Sequence, residues 1–250
     1  MTFPYANIYY PPMTRPEEIG CLLIHGFTSS PTEMAGLAEL LRARRYCVGV
    51  PLLPGHASRA EELINVTHQQ WIATVAEALR GLQKHTSKQI VIGQSMGGVL
   101  ALHLAANFDC TAVAVLAPAL KLVPWKEWGV RFAAPFNLTR RKRRGPDVCD
   151  AQGRAKLDSY WEYPLIATRE VFRLQRLVRT ELGRITTPLF VVHSLNDHTV
   201  PVSNVDYVLA RVQSTYVEKM LVQDSYHVLT VDHDHPRIFA RILDFMQKVL

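Results

Sequence analysis

The feature of this sequence that most constrains its fold is a regular alternation of short apolar runs with helical patterns. Turn residues bound six such runs, at residues 19–24, 46–50, 89–92, 111–117, 189–193 and 216–222. Runs that are apolar throughout and this short are typical of strands buried on both faces. Helical patterns separate most of these runs and cover residues 31–44, 67–84, 96–107, 203–212 and 236–249. Repeated strand, helix and strand predicts an α/β fold with a mostly parallel central sheet and helices on both faces.

The alternation stops between residues 118 and 184, where no clear strand pattern appears and aromatic residues accumulate. Trp125, Trp128 and Trp161 lie in this stretch. Ligands of open α/β sheets bind outside the carboxyl ends of the strands. We therefore expect residues 118–184 to form a small, mainly helical cap over those ends. The α/β core would then consist of residues 1–117 and 185–250.

Two helix starts carry recognisable capping residues. In SPTE, residues 30–33, Ser30 is the expected N-cap and Pro31 the first helical residue, with Glu33 as the reciprocal member of a capping box. Asp232 or Asp234 is the expected N-cap of the last helix.

A serine stands where an apolar run meets a helical pattern, in VIGQSMGG at residues 91–98. A strand-turn-helix G-x-S-x-G exposes its serine at the top of a sheet. A serine hydroxyl is a weak nucleophile and needs a histidine base that an acid orients. On this fold the three follow in the order serine, acid, histidine. Asp197 and His227 follow the two strands near the carboxyl terminus, so the sequence predicts Ser95, Asp197 and His227 as catalytic residues.

Acyl transfer also needs amide donors for the oxyanion. One is the backbone amide of Met96, directly after the serine. The second is expected from the loop after an earlier strand, IHGFTSSP at residues 24–31, where Phe27 is the predicted donor.

With these residues in place, the chain resembles the α/β-hydrolase superfamily, and more narrowly its carboxylesterase and monoacylglycerol-lipase-like esterases. The resemblance rests on LLIHGFTSSP, LLPGHA, VIGQSMGGVLAL, VVHSLNDHTVP and SYHVLTVDHD. It implies the α/β-hydrolase fold, with the nucleophile, acid and base on Ser95, Asp197 and His227 and the oxyanion amides on Phe27 and Met96. Two features depart from the family: Ala57 stands where relatives often have glycine, and the basic run at residues 140–144 is not a family signature.

The expected activity is that of a serine carboxylesterase acting through an acyl-enzyme, without metal or organic cofactor. Short to medium acyl esters, monoacylglycerols among them, are the expected substrates. A C–C bond hydrolase or another cofactor-free α/β hydrolase is an alternative, as is a small-molecule receptor that kept the fold. Trp125, Trp128 and Trp161 are the candidate lining of an acyl pocket. The alternative for the aromatic residues of this stretch is that they only pack the cap onto the sheet; they include Phe132, Phe136, Tyr160 and Tyr163.

Other histidines have structural interpretations. His25 and His56 are expected to brace loops, and His193 and His198 to lie near the pocket without acting in it. The residues His227, Asp232, His233, Asp234 and His235 include zinc-ligand types, but we favour helix capping and a solvated loop for this cluster.

The charge and hydropathy of the sequence limit which partners and locations we expect for the protein. Much of the formal net charge of +6 comes from Arg140, Arg141, Lys142, Arg143 and Arg144. No nucleic-acid reading motif surrounds this run, so we expect no nucleic-acid partner. The run is expected either to form a solvated loop or to attract the protein weakly toward anionic lipid or acidic substrates. No apolar stretch reaches the roughly 18 residues of a membrane span. The amino terminus lacks the pattern of a secretory signal, which predicts a cytoplasmic protein.

Overall fold

The structure, a computed structural model, describes residues 6–9, 19–121, 138–142 and 145–250. The strands in this part of the chain are β1 (Ala6–Tyr9), β2 (Ile19–Ile24), β3 (Cys47–Pro51), β4 (Lys88–Gln94), β5 (Ala112–Leu116), β6 (Thr139–Arg141), β7 (Glu162–Pro164), β8 (Leu189–Ser194) and β9 (Val217–Val222). Seven of them form one sheet in the order β1-β3-β2-β4-β5-β8-β9. Only the pair β1 and β3 is antiparallel within that sheet. The predicted parallel sheet is confirmed, while β1 was not predicted.

The described helices connect and cover these strands. They are α1 (Ala35–Ala43), α2 (His68–Gln83), α3 (Met96–Asn107), α4 (Ala151–Ala155), α5 (Leu165–Glu181), α6 (Asn204–Leu209) and α7 (His235–Val249). Short 3-10 turns precede α1 (Pro31–Met34) and α2 (Ala60–Asn65) and follow α5 (Leu182–Arg184). None of the helices in the described residues combines the length and apolar character needed to cross a bilayer.

The sheet is buried on both faces because successive side chains of a strand point in opposite directions. In β4, Val91 belongs to a hydrophobic cluster with α2, α3 and α5. Its neighbours Ile90 and Ile92 belong to a second cluster with α1 and α7. The continuous apolar runs of the sequence follow from this double burial. Helices on both faces, as predicted, are confirmed.

The stretch 118–184 differs from expectation in its secondary structure. The strands β6 and β7 pair antiparallel within it, although no strand was predicted there. They are only three residues long and mostly exposed, so they carry no apolar pattern. The helix α5 contributes Leu174 and Val178 to the core cluster around α3. The cap boundaries stay a prediction.

The helix starts were predicted in part. Ser30 does cap its turn, since its Oγ accepts a hydrogen bond from the Thr32 amide at 3.3 Å. Glu33 does not complete a capping box; its Oε1 accepts the amide of Gly26 at 2.7 Å. Asp234 stands at the start of α7, but its carboxylate bonds to the amide of Asp224 and the hydroxyl of Ser225 instead. Both acidic side chains therefore accept hydrogen bonds from loop residues rather than from the amides of their helices.

Candidate active site

Ser95 lies in a strained turn between β4 and α3. Its backbone has φ 56° and ψ −115°, a region that residues other than glycine rarely occupy. Such conformations cost on the order of 1–3 kcal/mol and persist only where the surroundings enforce them. A side chain at Gly93 would meet the Gly97 carbonyl oxygen at 2.1 Å, and one at Gly97 would meet that of Ile24 at 2.1 Å. The two glycines let the chain turn sharply enough to leave Ser95 partly exposed above the sheet.

The three predicted catalytic side chains lie in one hydrogen-bonded row. The Nε2 atom of His227 is 2.8 Å from the Oγ of Ser95. Its Nδ1 atom is 2.7 Å from the Oδ2 of Asp197. Each residue follows the carboxyl end of a parallel strand, β4, β8 or β9, and these ends meet at one edge of the sheet. The fold thus gathers a hydroxyl, an imidazole and a carboxylate from three distant segments.

The carboxylate of Asp197 is held by several donors. Its Oδ1 accepts the amides of Thr199 at 2.8 Å and Val200 at 2.7 Å. Its Oδ2 contacts both His227 and the Nε2 of His193, the latter at 3.2 Å. Burial alone would raise the pKa of Asp197, but the charge of His227 and these hydrogen bonds outweigh burial and hold the pKa well below its ordinary value. Asp197 is therefore ionised beside the histidine.

Burial and the carboxylate of Asp197 shift the pKa of His227 in opposite directions. Burial would lower the pKa of His227, whereas the carboxylate of Asp197 raises it, and the net result is a pKa above the ordinary histidine value. The backbone of His227 is fixed at both ends of the residue. Its amide donates to the carbonyl of Asp147 at 3.1 Å, and its carbonyl accepts the Nε2 of Gln94 at 2.8 Å.

A buried carboxylate, Asp232, braces the loop that carries His227. It accepts four backbone amides, those of Cys149, Asp150, Tyr226 and His233, at 2.8 to 3.0 Å. Two of these amides belong to the stretch 118–184, so Asp232 ties that stretch to the histidine loop. No group of three or more potential metal ligands occurs among the described residues. The sequence signalled Asp232 only as a capping or metal-ligand candidate, because amide acceptors far apart in sequence leave no motif.

The two predicted oxyanion donors, Phe27 and Met96, belong to different elements. Met96 is the first residue of α3 and directly follows Ser95. Gly26, before Phe27, approaches so closely that an added side chain would lie 3.3 Å from the Cβ of Ser95. Within the described part of the chain, neither the Phe27 nor the Met96 amide donates a hydrogen bond to another protein group. Their role as oxyanion donors stays a prediction.

Aromatic rings surround Phe27. Its ring centroid is 5.5 Å from that of Tyr163, 6.0 Å from that of His56 and 6.1 Å from that of Trp71. Tyr160 also packs here, stacked on His56. Two residues of the stretch 118–184, Tyr160 and Tyr163, thus form an aromatic wall beside the oxyanion loop. Trp161 is 54% exposed; the candidate pocket residues Trp125 and Trp128, together with Phe132 and Phe136, lie outside the described residues.

Three other histidines have defined partners. His25 accepts the amide of Leu53 on Nε2 at 3.2 Å, and burial lowers its pKa to about 4. Burial likewise lowers the pKa of His56 to about 3. Both rings are therefore neutral at physiological pH and brace loops. His198 lies at the surface, 3.0 Å from Asp147.

The basic run is not uniformly solvated, contrary to one of the expectations. Arg140 and Arg141 are exposed in β6. Lys142 turns inward instead, with its Nζ 2.6 Å from the Oγ1 of Thr28 and 2.9 Å from the Oγ of Ser159. Arg143 and Arg144 lie outside the described residues. A sequence run cannot show which of its cations contacts a hydroxyl more than a hundred positions away, as Lys142 contacts Thr28.

The sheet order and the strand-turn-helix serine define the class of this protein as the α/β hydrolases. The family model described as "Alpha/beta hydrolase family" matches residues 21–242, and the chain belongs to this family. It has the α/β-hydrolase fold. A thermostable monoacylglycerol lipase from Bacillus sp. (strain H-257) is 32% identical over 92% of this chain and 91% of the relative. The carboxylesterase of Bacillus subtilis (strain 168) is 22% identical over 91% of this chain and 92% of the relative. A solved chain of the metagenome-derived lipolytic enzymes LipS and LipT superimposes with a TM-score of 0.88 at 28% identity, covering 93% of this chain and 95% of that one.

Proposed function

We propose that this protein is a serine carboxylic ester hydrolase resembling the monoacylglycerol lipases. The observation that carries the proposal is the row from Ser95 Oγ through His227 to Asp197, with contacts of 2.8 and 2.7 Å. These are the distances that proton transfer from a serine to a histidine base needs. The curated relatives named monoacylglycerol lipase and carboxylesterase support the same class of reaction.

In the proposed mechanism His227 takes the proton of Ser95 as its oxygen attacks the ester carbonyl. Asp197, ionised and hydrogen-bonded to Nδ1, holds the ring in the tautomer that leaves Nε2 free to accept and stabilises the imidazolium that forms. The Phe27 and Met96 amides stabilise the oxyanion of the tetrahedral intermediate. His227 then donates its proton to the leaving alcohol. Water attacks the resulting acyl-enzyme by the same route and releases the acid.

The walls of the site support a proposal for the substrate class. The partly buried rings of Phe27 and Tyr163 offer an apolar surface next to the proposed oxyanion amides, and the fully buried Trp71 packs behind Phe27. Apolar and aromatic walls with a few polar groups are typical of sites for small ligands. We propose esters of short to medium acyl chains, with monoacylglycerols as the first candidates. The cytoplasmic location and the weak contact of the basic run with anionic lipid stay predictions from the sequence.

The test is hydrolysis of p-nitrophenyl esters and monoacylglycerols of graded chain length by the purified protein. We expect measurable turnover, and a loss of several orders of magnitude in kcat for Ser95→Ala. The matched control is Ser214→Ala, a serine whose hydroxyl donates to the Ile185 and Thr187 carbonyls before β9. Retention of most activity in Ser95→Ala would refute the mechanism. Tight ester binding without turnover by the unchanged protein would favour the receptor alternative.

The proposed acyl pocket has a separate test. Trp125, Trp128 and Trp161 are each replaced by alanine, and the ratio of kcat/KM between short and medium esters is measured. We expect at least one replacement to change that ratio. Unchanged ratios for all three would leave these side chains with a packing role only.

A further inference from the structure

We propose that Lys142 is a positioning residue for the oxyanion loop, defined here as residues 26–28. In this proposal its ammonium fixes Thr28 and thereby keeps the amide of Phe27 directed at the reacting carbonyl. The inference rests on the proposed ester hydrolysis. It assigns a function to one member of a basic run whose other described members, Arg140 and Arg141, are exposed.

The contacts of Lys142 make it a link between three segments. Its backbone amide donates to the carbonyl of Trp161 at 2.8 Å, which holds the end of β6 against the segment before β7. Its side chain then donates to Ser159 and, at 2.6 Å, to the hydroxyl of Thr28. Hydrogen bonds from an ionised donor are shorter and about twice as strong as neutral ones. The side chain thus joins the stretch 118–184 to the oxyanion loop.

Thr28 needs such support because its backbone is strained. It has φ 66°, which is a genuine outlier for a β-branched residue. Three contacts hold it there: its hydroxyl donates to the carbonyl of Phe27 at 2.5 Å, its carbonyl accepts the amide of Tyr160 at 2.8 Å, and its hydroxyl oxygen accepts the ammonium of Lys142. The conformation of Thr28 sets the orientation of the adjoining peptide groups. The Phe27 amide belongs to the next peptide group, between Gly26 and Phe27. A loosened Thr28 would release the Phe27 carbonyl that its hydroxyl holds, and would thereby let the backbone of Phe27 rotate and its amide move.

The charges around Lys142 explain how an ammonium is retained there. Burial lowers the pKa of Lys142 to about 8, and the carboxyl of Glu33 opposes this decrease. Glu33 is itself buried and accepts the amide of Gly26, so it lies on the same loop. Among the described residues, His56 also interacts with the ammonium, and the charge of Lys142 helps to lower the pKa of His56. Arg140 and Arg141, the last two residues of β6, precede Lys142 in the chain. Lys142 is consequently charged at neutral pH and loses its charge on mild alkalinisation.

Lys142→Met tests the role, because methionine keeps the apolar stem and removes the charge. We expect kcat for a p-nitrophenyl ester to fall about ten- to hundredfold with KM changed less than about twofold, since oxyanion donors act in the transition state. In the unchanged protein kcat should decline as the pH rises through about 8, and Lys142→Met should lack this decline. The matched control is Arg141→Met at the neighbouring position, which removes an exposed cation and should leave kcat and the pH profile unchanged.

Thr28→Val provides the partner variant, because it keeps the β-branched shape and removes only the hydroxyl. We expect a loss of kcat at least as large as for Lys142→Met, because the Thr28 hydroxyl also donates to the Phe27 carbonyl. The double variant should lose less than the sum of the two single losses, since both changes remove the bond between Lys142 and Thr28. If Lys142→Met does not fold, Thr28→Val alone still decides. Wild-type kcat in Thr28→Val, fully additive effects, or an unchanged alkaline decline in Lys142→Met would overturn the proposal. Absence of ester hydrolysis by the unchanged protein would instead refute the proposed function.

Discussion

His193 Nε2 lies 3.2 Å from Asp197 Oδ2, the carboxylate oxygen that also receives the Nδ1 of His227 at 2.7 Å. His193 is fully buried in β8, and its Nε2 is also 3.1 Å from the carbonyl of Val200. The ring thus contacts both ends of the turn that follows β8, the carboxylate of Asp197 and the carbonyl of Val200. With the amides of Thr199 and Val200, it sets the orientation of the carboxylate independently of His227.

His193→Phe should therefore lower the stability of the protein clearly while reducing kcat only modestly. The variant keeps a ring of similar size but removes the donor, and hydrogen bonds to charged groups contribute about 1.5–3 kcal/mol. We expect a loss of that order in the free energy of unfolding, measured in urea, and a change in kcat within about tenfold, because the other donors remain. His193→Gln, which can return a donor, should recover part of the stability. Undiminished stability in His193→Phe would mean that the contact contributes nothing.

Ester hydrolysis should decline on acidification with a midpoint above the ordinary histidine pKa of about 6.5. The base is the neutral imidazole of His227, and Asp197 raises its pKa, so activity is present above that pKa and lost as the pH falls through it. In Asp197→Asn the raising charge is gone while burial remains, so the midpoint of kcat/KM should move to lower pH. The rate of that variant should fall by roughly 10⁴-fold.

A matched control for this shift is Asp206→Asn. The carboxylate of Asp206 is 82% exposed and pairs only loosely with Lys219, at 3.7 Å. Its removal should leave the midpoint unchanged. A midpoint that moves upward in Asp197→Asn would contradict the assigned pairing of Asp197 with His227.

Asp232→Asn should cost far more stability than an ordinary surface change. An asparagine has one acceptor oxygen, and its NH₂ group would face amide donors that the carboxylate now accepts. The loss of two charge-assisted bonds predicts a decrease of about 3–6 kcal/mol in the free energy of unfolding. Treatment of the unchanged protein with EDTA should not alter kcat or the melting temperature. A marked effect of EDTA would indicate that this loop holds a metal after all.

Ala57→Gly should stabilise the protein slightly. Ala57 has φ 55°, in the left-handed region that costs residues with a Cβ about 1–2 kcal/mol. Glycine removes this cost but adds chain entropy to the unfolded state, so the expected gain is at most about 1 kcal/mol. Ala73→Gly, an exposed position inside α2, is the control and should lose up to about 1 kcal/mol. Equal losses in both variants would mean that Ala57 is not strained.

Most strands of the sheet could be predicted from the sequence because parallel strands buried on both faces are apolar throughout. The run at residues 19–24 became β2 with the predicted bounds, and the others differ from prediction by one or two residues at their ends. β6 and β7 were unreadable because strands three residues long with exposed side chains have no distinguishing composition. Glu33 shows a different failure: its local capping motif is genuine, but a buried amide on Gly26 competes for the same carboxylate.

The order of Ser95, Asp197 and His227 along the chain, together with the strand ends that precede them, was enough for the sequence to predict which three side chains meet. That prediction depends only on local turns and on the parallel direction of the strands. The contacts that position the three residues were decided by tertiary structure alone: His193 on Asp197, Asp232 under the histidine loop, and Lys142 on Thr28. Each joins groups through burial and hydrogen-bond geometry, and these depend on where distant segments pack rather than on any spacing within the chain.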